Sequence, residues 1–137
     1  MSVDRVLAQA RAGLTRLKPH EAAQAVRAGA LLVDTRPEYQ RRADGDIPGA
    51  IVIERNHLEW RLDPRSDARI PEAAHERIRW IVICDEGYSS SFAAASLRAI
   101  GLLHATDVVG GFQEWRAAGL PVTSGAVRPR LASYDLR

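Results

Sequence analysis

Short apolar runs alternate along this chain with segments of helical period, and that alternation constrains the fold more than any other feature. "ALLVDTR" (30–36), "AIVIE" (50–54), "RWIVIC" (79–84) and "ATDVV" (105–109) are too short for helices and contain no glycine or proline. "RWIVIC" is the most strand-like of them. Such runs are apolar at successive positions, so a strand built from them presents an apolar side chain to both faces of its sheet. Helical patterns separate them. The order favours an α/β fold with a largely parallel sheet covered on both faces.

Val3, Val6, Leu7, Ala10 and Leu14 recur at helical spacing, with Ser2 as a cap, and predict a helix over 3–12. A short extended piece at Thr15 to Leu17 follows and makes the first of five expected strands. Pro19 suits a first helical position and Gly29 the position past a helix end. "PEYQRRA" reads as one short helix and "DGDIPGA" as a turn. Residues 55–77 are polar and predict short helical turns on the surface. Residues 88–100 read as a helix with Ala93, Leu97 and Ile100 on one face, and "GFQEWRAAG" as a final short helix closed by Gly119. This divides the chain into an N-terminal helical extension (1–13), a main domain (14–123) and a C-terminal tail (124–137).

With 137 residues, 46% apolar and 26% charged, the chain suits one ordinary globular domain. The net charge is +2 and the basic residues are spread along the chain, which disfavours a nucleic-acid surface. One cysteine makes no internal disulfide, so a reducing compartment is expected. Gln9 and Arg11 interrupt the only candidate leader stretch, and no apolar run approaches a membrane span. The expected location is cytoplasmic, without a membrane partner. The oligomeric state is not legible.

That cysteine is Cys84, at the end of "RWIVIC" and at the start of "CDEGYSS" (84–90). Ligands of open α/β sheets bind beyond the carboxyl ends of strands, where Cys84 stands. Gly87 lets the backbone turn, and the following helix aims N–H groups and partial positive charge at the loop. Both effects favour a thiolate. Ser89, Ser90 and Ser91 are candidate hydroxyl donors to it. Position alone leaves an equal reading open, a small buried apolar residue. A phosphatase of the C-x5-R type needs arginine where Ser90 stands. A dithiol centre needs a second cysteine. A sulfur acceptor needs only a thiolate in a cradle of N–H donors.

Four segments then carry a resemblance. "LLVDTRPEY" resembles a D-x-R strand end, "GDIPGA" a G-H-I-P-G-A turn, "CDEGYSS" an active-site loop of the form C-x-x-G-x-[RS]-S, and "VVGGFQEW" a G-G-x-x-x-W segment. In this order they resemble the single-domain rhodanese-like family, over roughly Leu14 to Val122. The resemblance implies a three-layer α/β sandwich with a five-stranded, mainly parallel sheet between helices, here with an extra N-terminal helix. It implies a sulfurtransferase that moves sulfane sulfur from a donor, thiosulfate or a persulfide, to a thiophilic acceptor through a persulfide on Cys84. The loop of Asp85, Glu86, Gly87, Tyr88, Ser89 and Ser90 would cradle that sulfur. The six-residue loop from Cys84 to Ser89 resembles the sulfurtransferases; related phosphatases carry one residue more. Donor and acceptor are expected to be small molecules or proteins, and no cofactor beyond the covalent persulfide is implied. The alternative is a binding or redox-sensing module with little turnover. The sequence departs from the family at Asp85 and Glu86, which make the loop acidic, at Ser89, where arginine is frequent, and at Asp46, where the turn carries histidine. Two acids beside a thiolate oppose a dianion, so thiosulfate is expected to be a poor donor.

Asp34 and Arg36 flank a strand end and are expected to pin neighbouring loops, with Arg36 also a candidate pocket residue. Arg55 follows a strand and is a candidate source of positive charge for the site. His57 is a candidate base beside Cys84, although a surface histidine is the simpler reading. Gly45, Pro48 and Gly49 are expected to set a turn, Gly110 and Gly111 a tight strand-to-helix passage, and Trp115 a core contact. The four histidines show no ligand spacing with Cys84, so no metal is expected.

Overall fold

The computed structural model describes residues 1–123 and the backbone of Arg130 and Leu131. In chain order the elements are α1 (Val3–Ala12), α2 (Pro19–Arg27), β1 (Leu31–Asp34), α3 (Glu38–Asp44), β2 (Ile51–Val52), a 3-10 turn (Arg55–His57), α4 (Leu58–Leu62), β3 (Trp80–Ile83), α5 (Ser89–Ala99), β4 (Thr106–Asp107), α6 (Gly111–Ala117) and β5 (Arg130–Leu131). Ser2 caps α1 by accepting the N–H of Arg5. Pro19 opens α2, and the Glu21 carboxylate accepts the N–H of Lys18 at 2.8 Å, which closes that first turn.

All strand pairings are parallel, in the order β4-β3-β1-β2-β5. β1 pairs with β3 from Leu31 opposite Trp80 to Asp34 opposite Ile83, and with β2 at Val33 opposite Ile51. Four of the five expected strands form. The piece at Thr15 to Leu17 is not a strand; Leu17 makes a single bridge to Val108. The reason is local: Lys18 and Pro19 begin α2 at once, and Pro19 has no N–H to extend a ladder. The outer neighbour of β2 is instead the pair Arg130–Leu131. It falls in the segment expected as a tail, the rest of which lies outside the described residues.

Alternation along the strands divides the core into two layers. Val33, Ile51, Trp80 and Val82 face α4 and α5, where Leu58, Leu62, Ala93 and Leu97 complete one cluster. Leu32, Ile81 and Ile83 face α2 and α6, with Ala22, Ala25, Phe112 and Trp115. Helices therefore cover both faces, as the doubly apolar strands require. α1 lies against α5 and buries Leu7. The polar segment 55–77 corrects the expectation of purely surface turns: Leu58, Leu62, Ile70 and Ala73 are fully buried in the first cluster. Its charged residues, dense in sequence, hide these few apolar anchors. Among the described residues no helix is long and apolar enough to cross a membrane.

β1 and β3 are adjacent, yet the connection after β1 runs to β2 on its other side. The carboxyl ends of β1 and β3 thus flank the point where strand order reverses. That is where an open α/β sheet leaves a crevice.

Candidate active site

Cys84 follows directly on β3 and is 6% exposed. Its Sγ accepts the N–H of Gly87 at 3.2 Å and the N–H of Ser90 at 3.3 Å. The loop curls around its own sulfur because Gly87 has φ +86°, a conformation that L side chains rarely adopt. Space is as tight as the dihedral: a Cβ on Gly87 would meet Gly110 N at 2.7 Å, and one on Gly111 would meet Cys84 O at 2.5 Å and Gly87 N at 2.7 Å. The two glycines that open α6 are therefore the back wall of the Cys84 loop, besides easing the passage from β4 to α6. The N–H groups of Phe112 and Gln113, in the first turn of α6, donate to the carbonyls of Cys84 (2.8 Å) and Asp85 (3.1 Å).

A depression of about 260 Å³ opens over the thiol. Cys84, Asp85, Glu86, Tyr88 and Ser89 line it from the loop, and Thr35, Arg36, Pro37 and Gln40 from the segment after β1. The two contributing elements are those that flank the crevice. Arg36 is buried and forms an ion pair with Asp34 at 2.8 Å. It also donates to Gly45 O at 2.9 Å, and its guanidinium lies 3.7 Å from the centroid of Phe112. Its Nη1 is buried with no hydrogen-bond partner among the described residues. Arg36 therefore both pins loops and borders the depression.

Two candidate roles need correction, those of Arg55 and of the serine hydroxyls. Arg55 does not line this depression. It lines a separate one with Asn56, Glu59 and Trp60, where its Nη1 donates to both Glu59 oxygens at 2.9 Å. The 3-10 turn that carries it sends the chain toward α4 rather than across the crevice. His57 agrees with the simpler surface reading: it is partly exposed, borders a further hollow with Trp60 and Arg61, and its Nε2 lies 3.8 Å from Glu54. The hydroxyls of Ser90 and Ser91 do not face sulfur. Both donate to Asp107, at 2.7 and 2.8 Å, because the helix places only the Ser90 amide toward Sγ.

Asp107 is the buried residue that sequence reading overlooked. It is fully buried on β4 and receives, besides the two serines, Arg16 Nε at 2.8 Å and Nη2 at 3.1 Å. A lone acid inside "ATDVV" was the available signal, since a buried carboxylate demands partners. Asp85 is held too, accepting Gln113 Nε2 at 2.9 Å, while Glu86 is exposed. Among the described residues no group of three or more His, Cys, Asp and Glu side chains is placed to hold a metal ion.

The site thus joins a thiol at a strand end, a cradle of loop amides and a crevice between β1 and β3. The family model for the rhodanese-like domain matches residues 18–118. The chain belongs to the rhodanese-like family. A thiosulfate sulfurtransferase, GlpE of Pseudomonas savastanoi pv. phaseolicola, is 36% identical over 100 residues, covering 72% of this chain and 85% of that protein. The adenylyltransferase and sulfurtransferase UBA4 of Lodderomyces elongisporus is 31% identical over 90 residues, 61% of this chain but only 18% of that protein's length. Among solved structures, a protein of unknown function from Rhodopseudomonas palustris, RPA3614, described as a possible tyrosine phosphatase, superposes with a TM-score of 0.80 at 28% identity, covering 89% of this chain and 94% of that one. The rhodanese-like match begins at residue 18 and so leaves out α1 and Arg16, which touches the Cys84 loop.

Proposed function

We propose that this rhodanese-like protein is a sulfurtransferase that carries sulfane sulfur as a persulfide on Cys84. The observation that carries the reading is the pair of amides, from Gly87 and Ser90, that donate to Sγ at the mouth of the crevice. They are neutral donors directed at one point, suited to a thiolate. The thiolate attacks the outer sulfur of the donor, the donor's S–S bond breaks, and sulfite or a thiolate departs with the electron pair. An acceptor nucleophile then attacks the sulfur on Cys84, takes it, and returns the thiolate. No step requires a cofactor or a metal. A single cysteine working in this way belongs in a reducing compartment, which favours the cytoplasm. The sulfurtransferase relatives support the class of reaction.

A phosphatase activity, suggested by the description of the R. palustris protein, finds less support. Phosphate gripped beside a cysteine calls for a guanidinium fork in the loop. Here the sixth residue after Cys84 is Ser90, with its hydroxyl committed to Asp107.

Intact-mass measurement after incubation with thiosulfate and with a small-molecule persulfide tests the proposal. A gain of about 32 Da, removed by excess thiol and absent from Cys84→Ser, is the expected result for a sulfur carried by attack of the thiolate. No adduct with either donor, in folded protein, overturns the carrier and leaves the binding or redox-sensing module. Hydrolysis of an aryl phosphate that depends on Cys84 would favour the phosphatase.

A further inference from the structure

Gly87 and Ser90, the two residues that donate to Cys84 Sγ, are both held from behind: Gly87 directly by a segment outside the family match, and Ser90 through Asp107, which that segment also grips. Arg11, in the last turn of α1, donates from Nη2 to Gly87 O at 2.8 Å and from Nε to Ser91 Oγ at 3.0 Å. Arg16 donates from Nη2 to the same Gly87 O at 3.0 Å while its Nε holds Asp107. Asp107 in turn accepts the hydroxyls of Ser90 and Ser91. The carbonyl of Gly87 therefore receives two charged donors, and Ser90 hangs from a carboxylate that Arg16 fixes.

We infer that Arg11 and Arg16 are positioning residues for the Cys84 loop, so that α1 and the segment after it form part of the sulfur site. The inference rests on the persulfide reading for its purpose, though not for its geometry. Gly87 has no Cβ, so the peptide plane between Gly87 and Tyr88 is freer to rotate than one that follows any other residue type. Two guanidiniums on one carbonyl oppose that rotation, since charge-assisted hydrogen bonds are about twice as strong as neutral ones. Holding that plane holds Gly87, and with it the amide that faces sulfur. Arg11 also offsets the negative charge that Asp85 and Glu86 bring to a thiolate loop, whereas the charge of Arg16 is balanced by Asp107. This accounts for an acidic loop that has no arginine of its own: its positive charge comes from Arg11 on α1. Tyr88 adds a contact on the open side, where its ring centroid lies 5.7 Å from the Arg11 guanidinium.

The test compares wild-type full chain with Arg11→Ala, Arg11→Lys and Arg16→Lys, and with Arg5→Ala as a control on an exposed position of α1. Three quantities are read: the pH profile of Cys84 alkylation by iodoacetamide, persulfide loading by mass, and Tm. Arg11→Ala is expected to slow alkylation at neutral pH about tenfold and to move the profile to higher pH, as loss of a nearby cation and a fixed amide requires. Arg11→Lys keeps the charge but reaches one acceptor instead of two, and recovers part of the loss. Arg16→Lys is expected to act in the same direction. Arg5→Ala behaves as wild type. If Arg11→Ala does not fold, Arg11→Met, which keeps the aliphatic stem, takes its place. A folded Arg11 variant with the wild-type profile and rate overturns the inference. Alkylation needs no sulfur donor, so the two failures stay distinct: wild type that alkylates but never loads sulfur overturns the persulfide reading, while the profiles still decide on Arg11 and Arg16.

Discussion

Asp34 and Arg36, only two residues apart, close a fully buried ion pair: Nη2 stands 2.8 Å from Oδ2, and Nε stands 3.1 and 3.2 Å from the two carboxylate oxygens. The same guanidinium reaches Gly45 O and covers the Phe112 ring. It thus joins the end of β1, the turn after α3 and the first turn of α6, three of the segments around the Cys84 crevice. Arg36→Met leaves Asp34 buried and short of its charged partner. A loss of about 3 kcal/mol in unfolding free energy by urea titration is expected, since breaking a buried pair from one side costs more than the pair is worth. Arg36→Lys recovers less than half, because an ammonium cannot serve the carboxylate and the Gly45 carbonyl in one plane.

Gly111→Ala and Gly119→Ala offer a controlled comparison. Both glycines have positive φ, +60° and +76°, but a Cβ on Gly119 meets nothing within 4 Å. Gly119→Ala should cost about 1–2 kcal/mol, the strain of the left-handed conformation alone. Gly111→Ala should cost more, because its Cβ would stand 2.5 Å from Cys84 O and 2.7 Å from Gly87 N, both backbone atoms. It should also depress persulfide loading, by pushing the loop off its back wall, whereas Gly119→Ala leaves loading intact. Unfolding curves and intact mass on both variants check this.

Loop charge should govern the choice of donor, and the structure separates the two acids. Asp85 is tied to Gln113, so its charge cannot swing away, whereas Glu86 is exposed. Thiosulfate, a dianion, is expected to be a poor donor beside them. Replacing Glu86 by Gln should raise kcat/KM for thiosulfate by up to about fivefold, the equivalent of roughly 1 kcal/mol of partly screened repulsion. The gain should fade at high salt, where exposed charges are screened within several ångströms. Asp85→Asn should give a gain that salt removes less completely. Sulfur transfer to cyanide at low and high ionic strength measures both, and no gain at low salt would refute the charge argument.

Glu59 links stability to pH. Burial alone would raise its carboxyl, but hydrogen bonds from Ser96 and from its own backbone, together with Arg55, outweigh that and hold it below its ordinary 4.5. A carboxyl depressed in the folded state contributes stability above its ordinary value, and that contribution is lost as pH falls through the folded value. Wild type should therefore have the higher Tm at pH 7 compared with Glu59→Gln, and the gap should close as pH drops below 4.5. Thermal unfolding across that range checks it. A gap that persists in acid would mean that Glu59 acts through packing between α4 and α5 and not through its charge.

The local parts of this protein follow directly from its residue order. The apolar run from Trp80 to Ile83, the thiol that ends it, the turn at Gly87 and the helix from Ser89 are contiguous, and each follows from its neighbours' dihedrals and periodicity. The alternation of strands and helices likewise implied a parallel sheet between two helical layers. Tertiary structure alone decided what stands behind the thiol. Arg16 reaches Asp107 across 91 residues and Arg11 reaches Gly87 across 76. Those meetings exist only because β4 pairs beside β3 and α1 lies against α5. Arg55 shows the same limit in the opposite direction: its place after a strand suggested the crevice, but a turn of three residues carried it to Glu59. Backbone propensity acts over a few residues, while a buried carboxylate takes its partners from whichever elements the packing brings alongside it.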